Sequence, residues 1–293
     1  MNISYIVPCY NCELTLGTAI DSILQGNLVE GDELICVDDG SSDGTRSVIE
    51  EYLSRHQSIR YQYHERNRGG GAARNSAVQM ARHEWIFCLD SDNILAVNSV
   101  SNLKKVVGER KSGGAFFKKA ILFQDNPQVS IGERFYTESK NPFEGYLSRW
   151  DIPGASGNYL FKKSLWEKVG GYPEFAGALD TTGFGLRVAA LGERLASDEE
   201  GFYFHRSGHE SYWQRFRKGN VSEAMFQLLE PYFDRLAAGE VDYLRANRES
   251  FYGKIVERPL RLKRSIWKRI TQKLEAGSRS LLAKGYKPTA TSY

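Results

Sequence analysis

Asp90-Ser91-Asp92 follows the apolar run Trp85 to Leu89, so two carboxylates stand where a buried strand leaves its sheet. Carboxylates there can converge on one point, and oxygen-rich pairs suit Mg2+ or Mn2+, which keep open positions for phosphate oxygens. Such a metal neutralises charge on a departing diphosphate. The plainer alternative is a pair of solvated acids at a strand end. A second cluster, Val37-Asp38-Asp39-Gly40-Ser41-Ser42-Asp43-Gly44-Thr45, joins carboxylates to a turn. A carboxylate at a strand end can accept from a nucleobase N–H or a ribose hydroxyl, whereas Asp43 reads better as turn and helix cap. The third feature is the glycine-rich stretch from Asn67 to Asn75, which opens a helix. Bare backbone N–H groups at a helix start suit an anion. It is not a Walker loop, since no Gly-Lys-Ser/Thr follows, nor does it match the dinucleotide fingerprint.

The elements that must carry these residues alternate along the first third of the chain. Apolar runs at Ile3 to Val7, Leu34 to Val37 and Trp85 to Leu89 read as core strands. Helical spacing separates them at Leu16-Ala19-Ile20-Ile23-Leu24, at Val48-Ile49-Tyr52-Leu53 and at Ala73-Ala77-Met80. Ser42 or Asp43 stands ready to cap the second helix. Strands without polar alternation, separated by helices, predict an α/β fold with a mainly parallel sheet covered on both faces. Ligands bind at the carboxyl ends of such strands, where both acidic clusters fall. Further on, Ala115 to Phe123, Asn158 to Lys162 and Phe202 to His205 read as strands, and 182–191 and 221–236 as helices. The remainder is helical and basic. The expected division is a catalytic domain over 1–215 and a helical extension over 216–293.

Composition is that of an ordinary globular protein, 41% apolar and 26% charged in 293 residues. The net charge of +3 is too small to argue for nucleic acid. Its distribution says more: 254–284 holds ten Lys and Arg against Glu257 and Glu275, leaving the rest of the chain acidic. Within that segment Ile255, Leu262, Ile266, Trp267, Ile270 and Leu274 share a helix with the bases. It suits either an anionic membrane surface or packing against the rest of the protein. Cys36 and Cys88 lie in core strands, and Cys9 and Cys12 have redox-pair spacing with nothing else in the sequence to support that chemistry. No stretch has the length of a spanning helix and no signal peptide is visible, so the expected location is the cytoplasm.

Taken in order, Val7-Pro8-Cys9-Tyr10-Asn11, Val37 to Asp43, Asn67 to Asn75 and Leu89-Asp90-Ser91-Asp92 resemble glycosyltransferase family 2. Gly170-Gly171-Tyr172-Pro173-Glu174 also looks like the family's turn before its catalytic region. The resemblance covers roughly 1–215 and implies the Rossmann-like GT-A fold with inversion at the anomeric carbon. It implies that Pro8, Tyr10 and Asn67 belong to the nucleotide-sugar pocket, that Asp39 contacts the base, and that Arg74 adds a further contact. Asp90 would meet ribose and metal, and Asp92 the metal. His205, after the apolar run at Phe202, is a candidate third metal ligand as a neutral imidazole, or else a packed histidine. The family's Glu-Asp pair is reduced here to Asp180, the expected base, with Glu174 as the alternative. A sugar hydroxyl is too weak an acid to ionise unaided, so a carboxylate is needed. Ser211 to Arg215 would form a lid. Gln214 and Arg217 keep part of a Gln-x-x-Arg-Trp motif in which Lys218 replaces the tryptophan, which points to single addition. The implied partners are a nucleotide-sugar donor, a UDP-sugar by resemblance, and a saccharide or lipid-linked acceptor. A nucleotidyltransferase and an inactive sugar-nucleotide sensor are the rival readings.

Overall fold

A computed structural model describes residues 1–138, 142–148, 157–208, 216, 219, 221–237, 239–252 and 260–261. Among these residues one sheet has nine strands: β1 (Ile3–Cys9), β2 (Glu33–Asp38), β3 (Ile59–Tyr63), β4 (Trp85–Cys88), β5 (Ile94–Leu95), β6 (Gly114–Phe123), β7 (Gly132–Phe135), β8 (Tyr159–Lys162) and β9 (Ala196–Arg206). Their order is β3-β2-β1-β4-β8-β6-β9-β5, with β7 paired to β6. β1 to β4 are parallel, β8 enters antiparallel between β4 and β6, and β9 runs parallel to β6. Every residue of β2 is buried, and so is β1 apart from Pro8. Covering both faces is what makes an unbroken apolar run stable as a strand.

The helices are α1 (Leu16–Leu24), α2 (Thr45–Arg55), α3 (Gly70–Met80), α4 (Ser99–Arg110), α5 (Pro142–Ser148), α6 (Lys163–Val169), α7 (Asp180–Ala190), α8 (Val221–Leu229) and α9 (Glu240–Ala246). A 3-10 segment, Glu174–Leu179, leads into α7, and another, Glu230–Arg235, ends α8 early relative to the expected 221–236. Pro231 sits in that break, where its missing N–H ends regular helix. The sequence reading passed over β3, β5 and β7. β3 and β7 are short and largely unburied, and β5 is two residues long, so none carries an apolar run.

Two apolar clusters result. One fills the sheet and its flanking helices. The other joins Phe143, Tyr146 and Leu147 to Leu179 and Leu186 of the α7 region, and to Val221, Phe226, Leu244 and Leu260. The helices after 216 therefore share a core with 143–189. α7 belongs to both clusters, because Phe184 and Val188 face the first while Leu186 and Ala189 face the second. Phe184 is wholly buried among Tyr172, Phe161 and Tyr159, its ring centroid 4.5 Å from that of Tyr172. Asp180 lies one turn away on the same face, so this aromatic plug fixes where its carboxylate points.

Candidate active site

β1 separates β2 from β4, and the three strands end at the same edge. The Asp39 N–H donates to the Cys9 carbonyl at 2.8 Å, and the Leu89 N–H to Ile6 at 2.9 Å. Asp39 and the Asp90-Ser91-Asp92 turn therefore flank the end of β1, where Tyr10 is 43% exposed. Asn11, at φ 47, laces this end to the next turn. Its N–H donates to Ser41 Oγ at 2.9 Å, and its Oδ1 accepts the Ser42 N–H at 2.9 Å. Asp43 accepts the Thr45 N–H at 3.0 Å, but the N-cap of α2 is Gly44, with no side-chain cap hydrogen bond, so neither Ser42 nor Asp43 takes the expected capping position.

The glycine-rich turn is not open to a ligand in the way its sequence suggested. Its N–H groups already hold an anion, the carboxylate of Asp39. Arg68 N–H reaches Asp39 Oδ1 at 2.9 Å and Gly69 N–H reaches Oδ2 at 2.7 Å. His64 Nδ1 shares Oδ1 at 2.7 Å, and its Nε2 meets Ser76 Oγ at 2.9 Å. Asp39 is 2% exposed. A carboxylate at the positive end of a helix is favoured there, and this one ties β2 to α3. Gly70 and Gly71 serve close packing instead: a Cβ on Gly70 would stand 2.7 Å from Arg74 Nη1 and 3.0 Å from Asp180 Oδ2.

Arg74, one turn into α3, joins the two acids on which the chemistry rests. Its Nη2 donates to Asp90 Oδ1 at 2.6 Å, and its Nη1 to Asp180 Oδ2 at 2.6 Å. Burial acts to lower the guanidinium, yet Asp180 and Asp90 together hold it well above its usual range. Asp180 Oδ1 accepts the Thr181 N–H at 2.7 Å, so both its oxygens are engaged. Burial pushes the Asp90 carboxyl up to about 6, with Asp92 and Asp180 adding to the rise and Arg74 opposing it. A raised carboxyl gives the folded state the extra proton between its unfolded value of 3.8 and about 6. Stability is therefore lost as pH rises through that window. Asp90→Asn lacks the titration, so its stability relative to the native chain is expected to improve by about 2–3 kcal/mol between pH ~4 and pH ~7.5. Urea midpoints at the two pH values measure it; an equal difference at both would refute it.

The expected three-ligand metal set is not assembled. Among the described residues no three His, Cys, Asp or Glu side chains come close enough to hold a metal ion, and Asp90 Oδ1 is engaged by Arg74. The donor chemistry still fits a hard divalent cation, which needs only one or two carboxylates besides substrate phosphates. Asp92 is partly exposed beside Asp90. Gly157, at φ +77, lets the chain pass against Asp90, since a Cβ there would stand 2.8 Å from Oδ1. His205 lies near the end of β9, next to Arg206, whose N–H donates to Asn93 Oδ1 at 3.1 Å. That contact brings the end of β9 against the acidic turn.

Glu174, the alternative base, is exposed and pairs with Arg68 at 3.3 Å. Asn67 is exposed and Pro8 half-buried at the same edge. Arg217, the 211–215 stretch and nearly all of 254–284 lie outside the described residues. Two asparagines gave no sequence signal for their roles. Asn75 donates to the Tyr172 carbonyl at 2.9 Å and accepts the Tyr172 N–H at 2.8 Å, pinning α3 to the 170–174 turn. Asn158 Oδ1 accepts the Asp90 N–H at 2.9 Å. Buried amides are chosen for the two-way hydrogen bonding that only the fold reveals.

Residues 4–170, more than half of the chain, match the glycosyl transferase family 2 profile. The chain belongs to glycosyl transferase family 2. Among curated relatives, Glycosyltransferase GlyG of Streptococcus pneumoniae serotype 4 is 33% identical over 152 residues, covering 51% of this chain and 45% of that protein. The chain spans less than half the length of this relative and of two others that it matches. The fold is GT-A, as in two solved structural neighbours. One is S. aureus TarS 1-349 in complex with UDP-GlcNAc, with TM-score 0.64 and 19% identity over 85% of this chain and 72% of that one. The other is the mannosyltransferase PcManGT from Pyrobaculum calidifontis with GDP-Man and Mn2+, with TM-score 0.59 and 19% identity over 98% and 81%. No helix among the described residues is long and apolar enough to cross a membrane.

Proposed function

We propose that this family 2 chain transfers a sugar from a nucleotide diphosphate donor to a hydroxyl acceptor, adding one residue per encounter. The observation that carries the reading is the Arg74 bridge. It sets Asp90, at the end of the donor-side strand, one guanidinium away from Asp180 on α7. On this reading the donor sugar and the acceptor hydroxyl would meet beside the bridged pair, since Arg74 occupies the space between the two carboxylates.

Tyr10 and Pro8 would line the nucleotide pocket, and Asp39 would shape it by holding the 66–69 turn. Asp90 and Asp92 would hold Mn2+ or Mg2+, whose chemistry is to offset charge on the leaving diphosphate. Asp180 would take the acceptor's proton as its oxygen attacks the anomeric carbon with inversion. A nucleotide-sugar donor is supported by neighbours solved with UDP-GlcNAc and with GDP-Man. The acceptor we propose is a saccharide or a lipid-linked one, a class into which the names of relatives bring polymer substrates. One is a poly(ribitol-phosphate) beta-glucosyltransferase of Bacillus spizizenii, 28% identical over 143 residues. The engagement of both Asp180 oxygens favours one rival, a pocket that binds donor without turning it over.

Thermal shift with UDP- and GDP-sugars, with and without Mn2+, tests the donor reading. A ligand at about 100 times its Kd stabilises the native state by about 2.7 kcal/mol. The expected result is a nucleotide-selective rise, part of which needs Mn2+ and disappears in Asp92→Ala. No shift with any nucleotide sugar would remove the reading. Binding without transfer or hydrolysis across an acceptor panel would establish the sensor.

A further inference from the structure

His64 joins three elements that meet at the carboxyl edge of the sheet. It follows β3, and its N–H donates to the Asp38 carbonyl at 2.8 Å, which fixes its backbone against the end of β2. The imidazole is buried and reaches in two directions. Nδ1 meets Asp39 Oδ1 at 2.7 Å, and Nε2 meets Ser76 Oγ on α3 at 2.9 Å. Ser76 and Asp39 are buried as well. Serine to histidine to aspartate is the contact order of a hydrolase triad. Here the hydroxyl is enclosed in the helix with the ring against it, so no substrate reaches it and nucleophilic chemistry is excluded.

The partners decide where the imidazole proton sits. A carboxylate that takes the Arg68 and Gly69 N–H groups can only accept, so Nδ1 must donate to it. Nε2 of the neutral ring is then an acceptor, and the Ser76 hydroxyl supplies its donor. Asp39 is closed to solvent, so no water can take over from Nδ1, and the lone pair would stand unpaired without it. What Asp39 carries is the 66–69 turn. Gly40, at φ +71, lies beneath the same turn: a Cβ there would stand 2.6 Å from the Arg66 carbonyl carbon and 2.8 Å from the Asn67 nitrogen. The turn thus has two supports, one steric and one through hydrogen bonds, and the histidine sets the second.

We propose that His64 is a positioning residue of the nucleotide pocket. Ser76 holds it as the Nδ1–H tautomer, so that it orients Asp39 and, through Asp39, the turn that bears Asn67. It touches no nucleotide itself. This role deepens the donor reading above and rests on it; the tautomer does not.

Long-range proton–nitrogen spectra of the full chain at pH ~8, above the ordinary histidine range, read the tautomer directly. The expected result for His64 is a protonated Nδ1 and a bare Nε2, with the Nδ1 proton resonance moving when UDP with Mn2+ saturates the chain. A proton on Nε2 would overturn the tautomer, and an unmoved Nδ1 proton in the UDP-bound chain would overturn the coupling. Two substitutions separate positioning from packing. His64→Asn sets an amide N–H near the Nδ1 position and keeps a donor for Asp39, whereas His64→Gln extends toward Ser76 and leaves Asp39. Both remove the ring, so both are expected to lower Tm by similar amounts. UDP affinity is expected to stay within about threefold in His64→Asn and to fall about tenfold in His64→Gln. Equal affinities with Tm lowered in both would make His64 a packing residue and sink the proposal. Should His64→Gln fail to fold, the UDP-induced movement in the native chain is the deciding measurement. Failure of the native chain to bind UDP removes the donor reading and the coupling together, with the tautomer still read from its own spectrum.

Discussion

Asp180→Asn is expected to lower the transfer rate about a thousandfold while leaving donor binding within about threefold, because general-base catalysis contributes on the order of 10²–10⁴. The amide keeps an oxygen for the Thr181 N–H at the start of α7, while its NH2 is a donor and gives up the Arg74 bond, leaving Arg74 anchored on Asp90. What it loses is the capacity to accept a proton. Glu174→Gln is the necessary companion. Glu174 is the more open of the two acids, 46% exposed against 5% for Asp180, and an acceptor can reach it without displacing Arg74. With Asp180 as the base, Glu174→Gln costs only a few-fold through its contacts with Arg68 and Asn75. The reverse pattern would transfer the role to Glu174. Steady-state rates with a saturating donor, paired with nucleotide affinity for each variant, separate the two.

Arg74→Ala is expected to destabilise the fold by about 3–5 kcal/mol at neutral pH, the cost of leaving buried charges without their partner. Arg74 is 11% exposed and both carboxylates lean on it. The loss should shrink toward pH ~4, where Asp90 takes up a proton and no longer needs the guanidinium as a counter-charge. Adding Asp90→Asn should restore part of the stability at neutral pH, a coupling that independent sites do not show. Arg74→Lys keeps the charge but cannot donate to both acids from one planar group, and should fall between the two. Chemical denaturation at two pH values measures all four chains. A pH-independent loss with no recovery in the double variant would mean that packing, not charge, is what Arg74 supplies.

The reading from residues alone went furthest where burial dictates pattern. β1, β2 and β4 are continuous apolar runs because they are covered on both faces, and their ends located Asp39, Asp90 and Asp92 at one edge. It went astray where polar groups choose among partners. Nothing in Asn67 to Asn75 says that the helix start is filled by Asp39 from another strand, 29 and 30 residues away from the N–H groups it accepts. Nor does Asp-x-Asp say that an arginine will claim one of its carboxylates. β3 hid because an edge strand needs no apolar run, and Asn75 because a buried amide leaves no periodic trace. The location of a site follows from hydrophobic order; its internal wiring follows from long-range hydrogen bonds that composition does not encode.

α7 is shared by two packing units, with Phe184 pressed into the sheet and Leu186 into the outer helices. A helix held this way acts as a lever. A displacement of α5 or α8 would be passed to the helix that bears Asp180, and through Arg74 to Asp90 just beyond β4. A strain on the outer helices is therefore borne by the same helix that presents Asp180 to Arg74.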